Sequence, residues 1–263
     1  MKNWRNRWAL VTGASAGIGW ALAEELVAGG TNLVLTARRR ERLEQLAAKL
    51  TSKHQIKTEI FCADLHLDSG PEEIFAFTNQ RGIQVDLLVN NAGFGAYGEF
   101  FNSQLASQLD MVQVNCSAVV HLTHLYLAGM VERRRGDILI VASTAAFQGV
   151  PYMAAYGATK AFDLLFAEAL AEEVERYGVR VCALCPGPTE SEFGQVAGSP
   201  LRSPKGTESA QKVARVGLRA LAVGKHSVIS GIPNWIGAEI QRAIPRRWVT
   251  KGTAMVFRPK HLR

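Results

Sequence analysis

Tyr156 and Lys160 stand four residues apart in Tyr156-Gly-Ala-Thr-Lys160, with Ser143 thirteen residues upstream. On a helix, positions i and i+4 share one face. An ammonium beneath a phenol favours the phenolate and lowers the phenol's pKa. A free phenol, with a pKa of about 10, is too weak an acid to exchange protons readily near neutrality. The three side chains together predict proton donation from Tyr156 to a carbonyl whose oxygen Ser143 holds.

The elements that would position such a group begin near the N-terminus. Thr12-Gly-Ala-Ser-Ala-Gly-Ile-Gly19 follows the apolar run Trp8 to Val11 and opens the amphipathic stretch Ile18 to Leu26. A strand, a glycine turn and a helix in that order form a phosphate cradle. Gly13 permits the tight turn, Gly17 lets backbone approach a pyrophosphate, and Gly19 allows close helix–strand packing. Free N–H groups at the helix start then bind the phosphates. An ordinary strand–helix turn is the alternative reading of this motif alone.

The next strand, Asn32 to Thr36, runs into Ala37-Arg38-Arg39-Arg40. An acid here would bind the ribose 2′-hydroxyl of NAD, whereas an arginine accommodates the 2′-phosphate of NADP. The acid is missing, so Arg38 is expected on the phosphate, with Ser15 adding a hydroxyl. A solvated basic cluster opening the helix Glu41 to Leu50 is the alternative, and it would oppose the helix dipole. Strands over Lys57–Ala63 and Asp86–Val89 then end at Asp64-Leu65 and at Asn90-Asn91-Ala92-Gly93. Ligands bind outside the C-terminal ends of strands in doubly wound sheets, which favours the second segment. Asp64 either meets the adenine or belongs to a plain surface turn.

With these motifs in order, the chain resembles the short-chain dehydrogenase/reductase family over residues 7 to 231. The family's T-G-x-x-x-G-x-G is Thr12 to Gly19, its N-N-A-G is Asn90 to Gly93, and its Y-x-x-x-K is Tyr156 to Lys160. The resemblance implies an active-site Asn at Asn115, a carbonyl-holding Ser at Ser143, and a segment passing the nicotinamide in Cys185-Pro186-Gly187-Pro188. It implies cofactor contacts from Gly13, Ser15, Gly17, Ile18, Gly19, Arg38, Asp64, Leu65, Asn90, Asn91, Ala92 and Gly93. Tyr156, Lys160, Pro186, Gly187 and Thr189 complete that set. Many NADP-using relatives carry a basic residue just before the second motif glycine. Ala16 stands there, which loads the preference for NADP(H) onto Arg38.

The implied reaction is hydride transfer between the nicotinamide and a carbonyl or secondary alcohol. Tyr156 gives or takes the proton, Lys160 lowers its pKa and binds the nicotinamide ribose, and Asn115 holds a water of the proton relay. A catalytically silent dinucleotide-binding sensor or scaffold is the alternative. The intact Asn115–Ser143–Tyr156–Lys160 set argues against it, because a pure binder needs no tuned phenol.

Alternating strand and helix patterns predict one α/β domain with a doubly wound, Rossmann-type, seven-stranded parallel sheet and helices on both faces. The strands are expected at Arg7–Val11, Asn32–Thr36, Lys57–Ala63, Asp86–Val89, Asp137–Ala142, Val179–Cys185 and Ser227–Gly231. A chain of 263 residues, 48% hydrophobic, can bury one such core. Residues 1–231 make the dinucleotide-binding and catalytic domain, and 232–263 a basic C-terminal extension packed on it or projecting from it. Met1 to Arg7 lacks the apolar core of a signal peptide, and no uninterrupted apolar span reaches the ~20 residues that cross a bilayer. The expectation is a soluble cytoplasmic protein.

No metal site is expected. Cys182 and Cys185 fall on one predicted strand at i and i+3, which point to opposite faces. His121 and His124 share a helix with no carboxylate nearby in sequence and read as packing or surface residues. The formal charge is +7, and from Ile232 onward seven Lys/Arg (Arg242, Arg246, Arg247, Lys251, Arg258, Lys260, Arg263) face one acid, Glu239. No nucleic-acid fold signature accompanies them.

Trp235, Ile236, Glu239, Ile240, Ala243 and Ile244 recur at helical spacing, giving a short helix that ends near Pro245. Its apolar stripe packs on the domain or a partner subunit with the charges left in water, or else the interleaved Arg246-Arg247-Trp248 and Met255-Val256-Phe257 beyond it suit a membrane surface or an anionic, apolar substrate such as an acyl thioester. The substrate pocket is expected between Gly95–Phe101, Phe147–Met153 and a mobile loop from Thr189 to Thr207. Phe94, Tyr97, Phe147, Tyr152, Met153 and Phe193 either make it apolar, suited to a lipid-, steroid- or aromatic-type carbonyl, or belong to the core. Long helices over Asn102–Met130 and Ala154–Tyr177 resemble those that pair family members into homodimers or homotetramers.

Overall fold

The computed structural model describes residues 4–198 and 207–259. Seven apolar runs form strands β1 (Trp8–Thr12), β2 (Asn32–Ala37), β3 (Thr58–Cys62), β4 (Val85–Asn90), β5 (Gly136–Val141), β6 (Val179–Cys185) and β7 (Ser227–Ile229). They lie in one sheet in the order β3-β2-β1-β4-β5-β6-β7, and every neighbouring pair is parallel. β6 falls where the sequence predicted it, and the other strands shift by a residue or two at their ends. β7 stops at Ile229 because Gly231, with φ of 86°, already turns into the next helix.

The helices are α1 (Gly17–Ala28), α2 (Arg40–Lys53), α3 (Gly70–Gln80), α4 (Leu105–Val112), α5 (Ala118–Glu132), α6 (Ala154–Val174), α7 (Phe193–Val196), α8 (Ala210–Ala222), α9 (Ile232–Ile240) and α10 (Arg246–Phe257). Strands buried on both sides read as continuous Val/Ile/Leu runs and alternate between two cores. Leu139 and Val141 of β5 join Leu22, Leu43 and Leu218, from α1, α2 and α8. Ile138 and Ile140 join Ile74, Leu122 and Leu164, from α3, α5 and α6, on the other face. The same alternation puts Cys182 in one core and Cys185 in the other. Burial pushes both thiols up to about 12, so neither is a thiolate at neutral pH.

The helix expected over Asn102–Met130 is interrupted. Phe100–Asn102 is a separate 3₁₀ turn, and between α4 and α5 the chain makes a π-helical turn, Gln113–Ser117, around Asn115. The helical run Leu105–Glu132 has a mean hydropathy of 1.3 and matches a membrane span by length and composition. Polar Gln108, Gln113 and Asn115 interrupt it, and Met111, Leu122 and Met130 are buried within the protein while Leu105, Leu109 and Val112 are exposed. His121 is on its surface, 3.0 Å from Glu72 of α3.

At the C-terminus, α9 and a 3₁₀ turn, Gln241–Ala243, stand where the short helix was expected. Pro245, read there as a stop, instead caps a second helix, α10. Proline is tolerated at a helix start, where its missing N–H has no partner to lose.

Candidate active site

The strand order reverses between β1 and β4, so the loops that follow them part and leave a crevice at the C-terminal edge of the sheet. Gly13 turns with φ of 64°, and a Cβ there would stand 2.8 Å from the Ala92 Cα. A Cβ on Gly19 would collide with the Asn91 amide and the Gly13 carbonyl. The loops are tied together at this point. The Thr12 hydroxyl accepts from the N–H groups of Asn91 and Ala92, both at 2.9 Å. The Asn91 Nδ2 donates to the Thr12 carbonyl at 2.8 Å, and the Asn90 Nδ2 to Thr123 Oγ1 at 3.0 Å. The side-chain amides of Asn90 and Asn91, two positions expected on the cofactor, thus brace the loops. Gly93 is the part of the motif that reaches Asn115 and Lys160: a Cβ there would lie 3.0 Å from Asn115 Oδ1 and 3.5 Å from Lys160 Nζ.

These surroundings fit a dinucleotide. Helix α1 begins at Gly17 after Ala16, with no side-chain cap and no acid in its first turn. Its first N–H groups are thus open to an anion. Ser191, in the loop after β6, has its Cβ 3.0 Å from where a Gly17 Cβ would be. Thr189, the expected contact, turns its hydroxyl to the Gly187 carbonyl at 2.9 Å. Ile18 and Leu65 pack against the two cores. Asp64 accepts the His66 N–H at 3.1 Å, closing a local turn.

At the end of β2 the structure separates the arginines. Arg39 donates to Ser15 Oγ from Nη2 at 3.0 Å and pairs with Glu192 at 2.8 Å. Arg38 is exposed, and the described residues give it no hydrogen bond or ion pair. Arg39, not Arg38, is the cation on the glycine loop. The three consecutive arginines offered no pattern that would have told them apart.

The side chains that the sequence predicted for proton transfer come from three elements. Ser143 ends the β5 strand region, and its hydroxyl accepts the Ala145 N–H at 3.1 Å. The Thr144 N–H donates to the Pro186 carbonyl at 2.9 Å, fixing the loops after β5 and β6 together. Tyr156 and Lys160 lie one turn apart on α6. Asn115 is fully buried in the π-helical turn. It accepts from the Phe94 N–H at 3.1 Å and donates to the Phe94 carbonyl and Thr159 Oγ1, both at 3.0 Å. These partners on two other elements account for the bulge, since a π turn re-aims a residue without ending the helix.

Lys160 is 6% exposed and donates to the Val141 carbonyl at 2.8 Å and to Asp163 Oδ2 at 2.9 Å. Burial works against the ammonium, but Asp163 and Tyr156 outweigh it and hold the Lys160 pKa above its usual value. Burial raises the Tyr156 phenol, opposed by Lys160 and by hydrogen bonding from Ser143, with Asp163 raising it further. The net direction is upward, because burial outweighs the lowering by Lys160 that the sequence predicted. Asp163, which the sequence reading passed over, is itself raised by burial against the pull of Lys160.

The expected apolar wall is present in part. Gly95 lies against Phe193, Met153 and Tyr156, and the Phe193 and Tyr156 rings are 5.1 Å apart. Tyr152 has φ of 67°, a strained conformation for a non-glycine residue, and its carbonyl accepts the Gly98 N–H at 2.9 Å. Phe147 packs on the core instead. Residues 199–206 of the expected loop lie outside the described residues.

Comparison with known proteins gives the class. The short chain dehydrogenase family model matches residues 7–200. The chain belongs to the short-chain dehydrogenase/reductase family. It is 32% identical over 246 residues to the human very-long-chain 3-oxoacyl-CoA reductase, covering 89% of this chain and 78% of that protein. It is 36% identical over 184 residues to a human protein named inactive hydroxysteroid dehydrogenase-like protein 1, covering 68% of this chain and 55% of that one. The chain thus spans about half the length of the latter. Among solved structures, a short-chain dehydrogenase from Sphingobium yanoikuyae in complex with NADPH superposes with a TM-score of 0.82. It shares 27% identity over 90% of this chain and 93% of its own.

Proposed function

We propose that this protein is an NADP(H)-dependent oxidoreductase that interconverts a carbonyl and a secondary alcohol on an apolar small molecule. The observation that carries this reading is the mutual interaction of Ser143, Tyr156 and Lys160, with Gly93 against Lys160 linking them to the loops at the uncapped glycine-loop helix. When bound, the nicotinamide supplies or takes the hydride. The chain does the rest. Ser143 holds the substrate oxygen by a hydrogen bond, and Tyr156 passes its phenolic proton to the oxygen as charge develops there. Lys160, fixed by Asp163 and the Val141 carbonyl, stabilises the resulting phenolate. Phe193 and Met153 wall the site against water. The reductases among the relatives and the NADPH complex among the solved structures support this reading.

Preference for NADPH rests on the β2 arginines. Arg39, on Ser15, and Arg38 beside it offer guanidinium groups to a 2′-phosphate. Replacing the one that makes the contact by Ala costs about 1.5–3 kcal/mol, or roughly ten- to a hundredfold in NADPH affinity. NADH affinity stays nearly constant. Titrating both cofactors against Arg38→Ala and Arg39→Ala checks this, and equal weakening of both cofactors would show the arginines to be structural.

A second reading, a binding protein without turnover, is favoured only by the relative whose name calls it inactive. Tight NADPH binding with no oxidation in a screen of ketones and 3-oxoacyl thioesters would establish it. We also propose a homo-oligomer. Leu105 and Leu109 on α4 and Phe162 and Leu165 on α6 are all exposed, and α4 packs beside α6. Sedimentation should show a species larger than 28.7 kDa, and a single species at that mass would refute association.

A further inference from the structure

Between α9 and α10 runs a cleft of about 620 Å³, in the range of small-molecule sites. Its walls include Ile240, Ile244, Trp248 and Val249, and Thr144 and Gln148 close its other side. Thr144 directly follows Ser143, so the cleft adjoins the turn that carries the oxygen-holding hydroxyl. Helix α10 also borders the two other loops of the mouth. Thr250 lies 3.1 Å from where a Gly149 Cβ would be, and the Tyr97 hydroxyl donates to the Phe257 carbonyl at 2.7 Å.

Folding leaves this surface uncovered. Ile240, Ile244 and Trp248 are 57%, 40% and 65% exposed, and contiguous apolar surface of this kind marks a binding site. The same two helices and the turn between them carry Arg242, Arg246, Arg247 and Lys251 against one acid, Glu239, which pairs with Arg242 at 3.0 Å. Lys251 stands over the Trp248 ring, 5.2 Å from its centroid. Apolar walls with a cationic surround complement an amphiphile that is anionic at one end.

We propose that this cleft is the subsite for the hydrocarbon chain of a long-chain acyl thioester on an anionic carrier. The inference rests on the reading that Ser143 and Tyr156 receive a carbonyl. From that point the chain leaves past Thr144 and lies between α9 and α10, while the cations draw the anionic carrier toward the mouth. A short acyl chain would leave the cleft empty, so affinity rises with chain length.

Gly237 and Gly252 both line the cleft, and a Cβ on either meets nothing within 4 Å. Gly252→Leu, with Gly237→Leu as a second variant should the first fail to fold, fills the cleft from a helix that accepts leucine. Palmitoyl-CoA, which has no keto group to reduce, reads binding without turnover by calorimetry. Displacing even two methylenes weakens binding by about tenfold or more. The ratio of kcat/KM for 3-oxohexadecanoyl-CoA over acetoacetyl-CoA falls by a similar factor.

Unchanged palmitoyl-CoA affinity in a folded variant overturns the proposal, as does failure of the unmodified protein to bind it. CoA alone binding as tightly as palmitoyl-CoA overturns it too, because the cations would then do all the holding. A variant that changes oligomeric state while keeping its palmitoyl-CoA affinity assigns the cleft to a second copy of the chain and not to substrate. If the variant loses palmitoyl-CoA but the unmodified protein reduces no 3-oxoacyl thioester, the subsite stands and the carbonyl-reduction reading falls.

Discussion

Tyr156→Phe should lower turnover by about 10²–10⁴-fold, the usual contribution of a positioned general acid, while NADPH binds as before. The ring stays to pack on Phe193, 5.1 Å away, and only the proton is lost. Turnover and a fluorescence titration of NADPH, measured side by side, separate the two effects. Near-normal turnover would remove Tyr156 from the chemistry. The raised phenol also sets the direction of the pH dependence. Reduction needs the protonated phenol, so its rate holds at neutral pH and falls as pH rises through the Tyr156 pKa. Oxidation needs the phenolate and rises over the same interval.

Asp163→Ala should destabilise the protein by about 3–5 kcal/mol, the cost of leaving a buried ammonium without its partner. Lys160 and Asp163 are 6% and 1% exposed, so water does not replace the lost carboxylate. Urea unfolding measures this, and a loss below 1 kcal/mol would show that the pair is not coupled as the 2.9 Å contact implies. Asp163→Asn keeps the shape and removes the charge. Asp163 raises both the Tyr156 and the Lys160 pKa, so its loss lowers them. The falling limb of reduction then moves to lower pH, a shift that a purely structural residue would not cause. The carboxylate is costly to keep, since burial outweighs Lys160 at Asp163 and its Oδ1 finds no partner among the described residues. What it provides is a Lys160 ammonium held in place and charged.

The features legible in the sequence are those with a period or a steric requirement. Parallel strands buried on both faces show as apolar runs, and Gly13 and Gly19 show as glycines because a Cβ at either would strike the Asn91–Ala92 segment. Tyr156 and Lys160 were legible from helical spacing. Features that depend on which neighbour a side chain finds were not. Asp163 is one acid among several on α6, and only the fold shows that it faces Lys160. Arg38, Arg39 and Arg40 are equivalent in sequence, and Ser15 and Glu192 distinguish Arg39. The π-helical turn around Asn115 leaves no mark on periodicity, because it follows from the contact with Phe94. Helix α10 has a glycine and two threonines, weak helix formers that hid it.

Hydride transfer itself is tested most directly with NADPH deuterated at the nicotinamide C4, each face in turn, and 3-oxoacyl-CoA and bulky ketones as acceptors. One face should deliver deuterium to the carbinol carbon of the product, read by mass spectrometry, and Tyr156→Phe should nearly abolish this transfer. Tight NADPH binding with no deuterium in any product would contradict it.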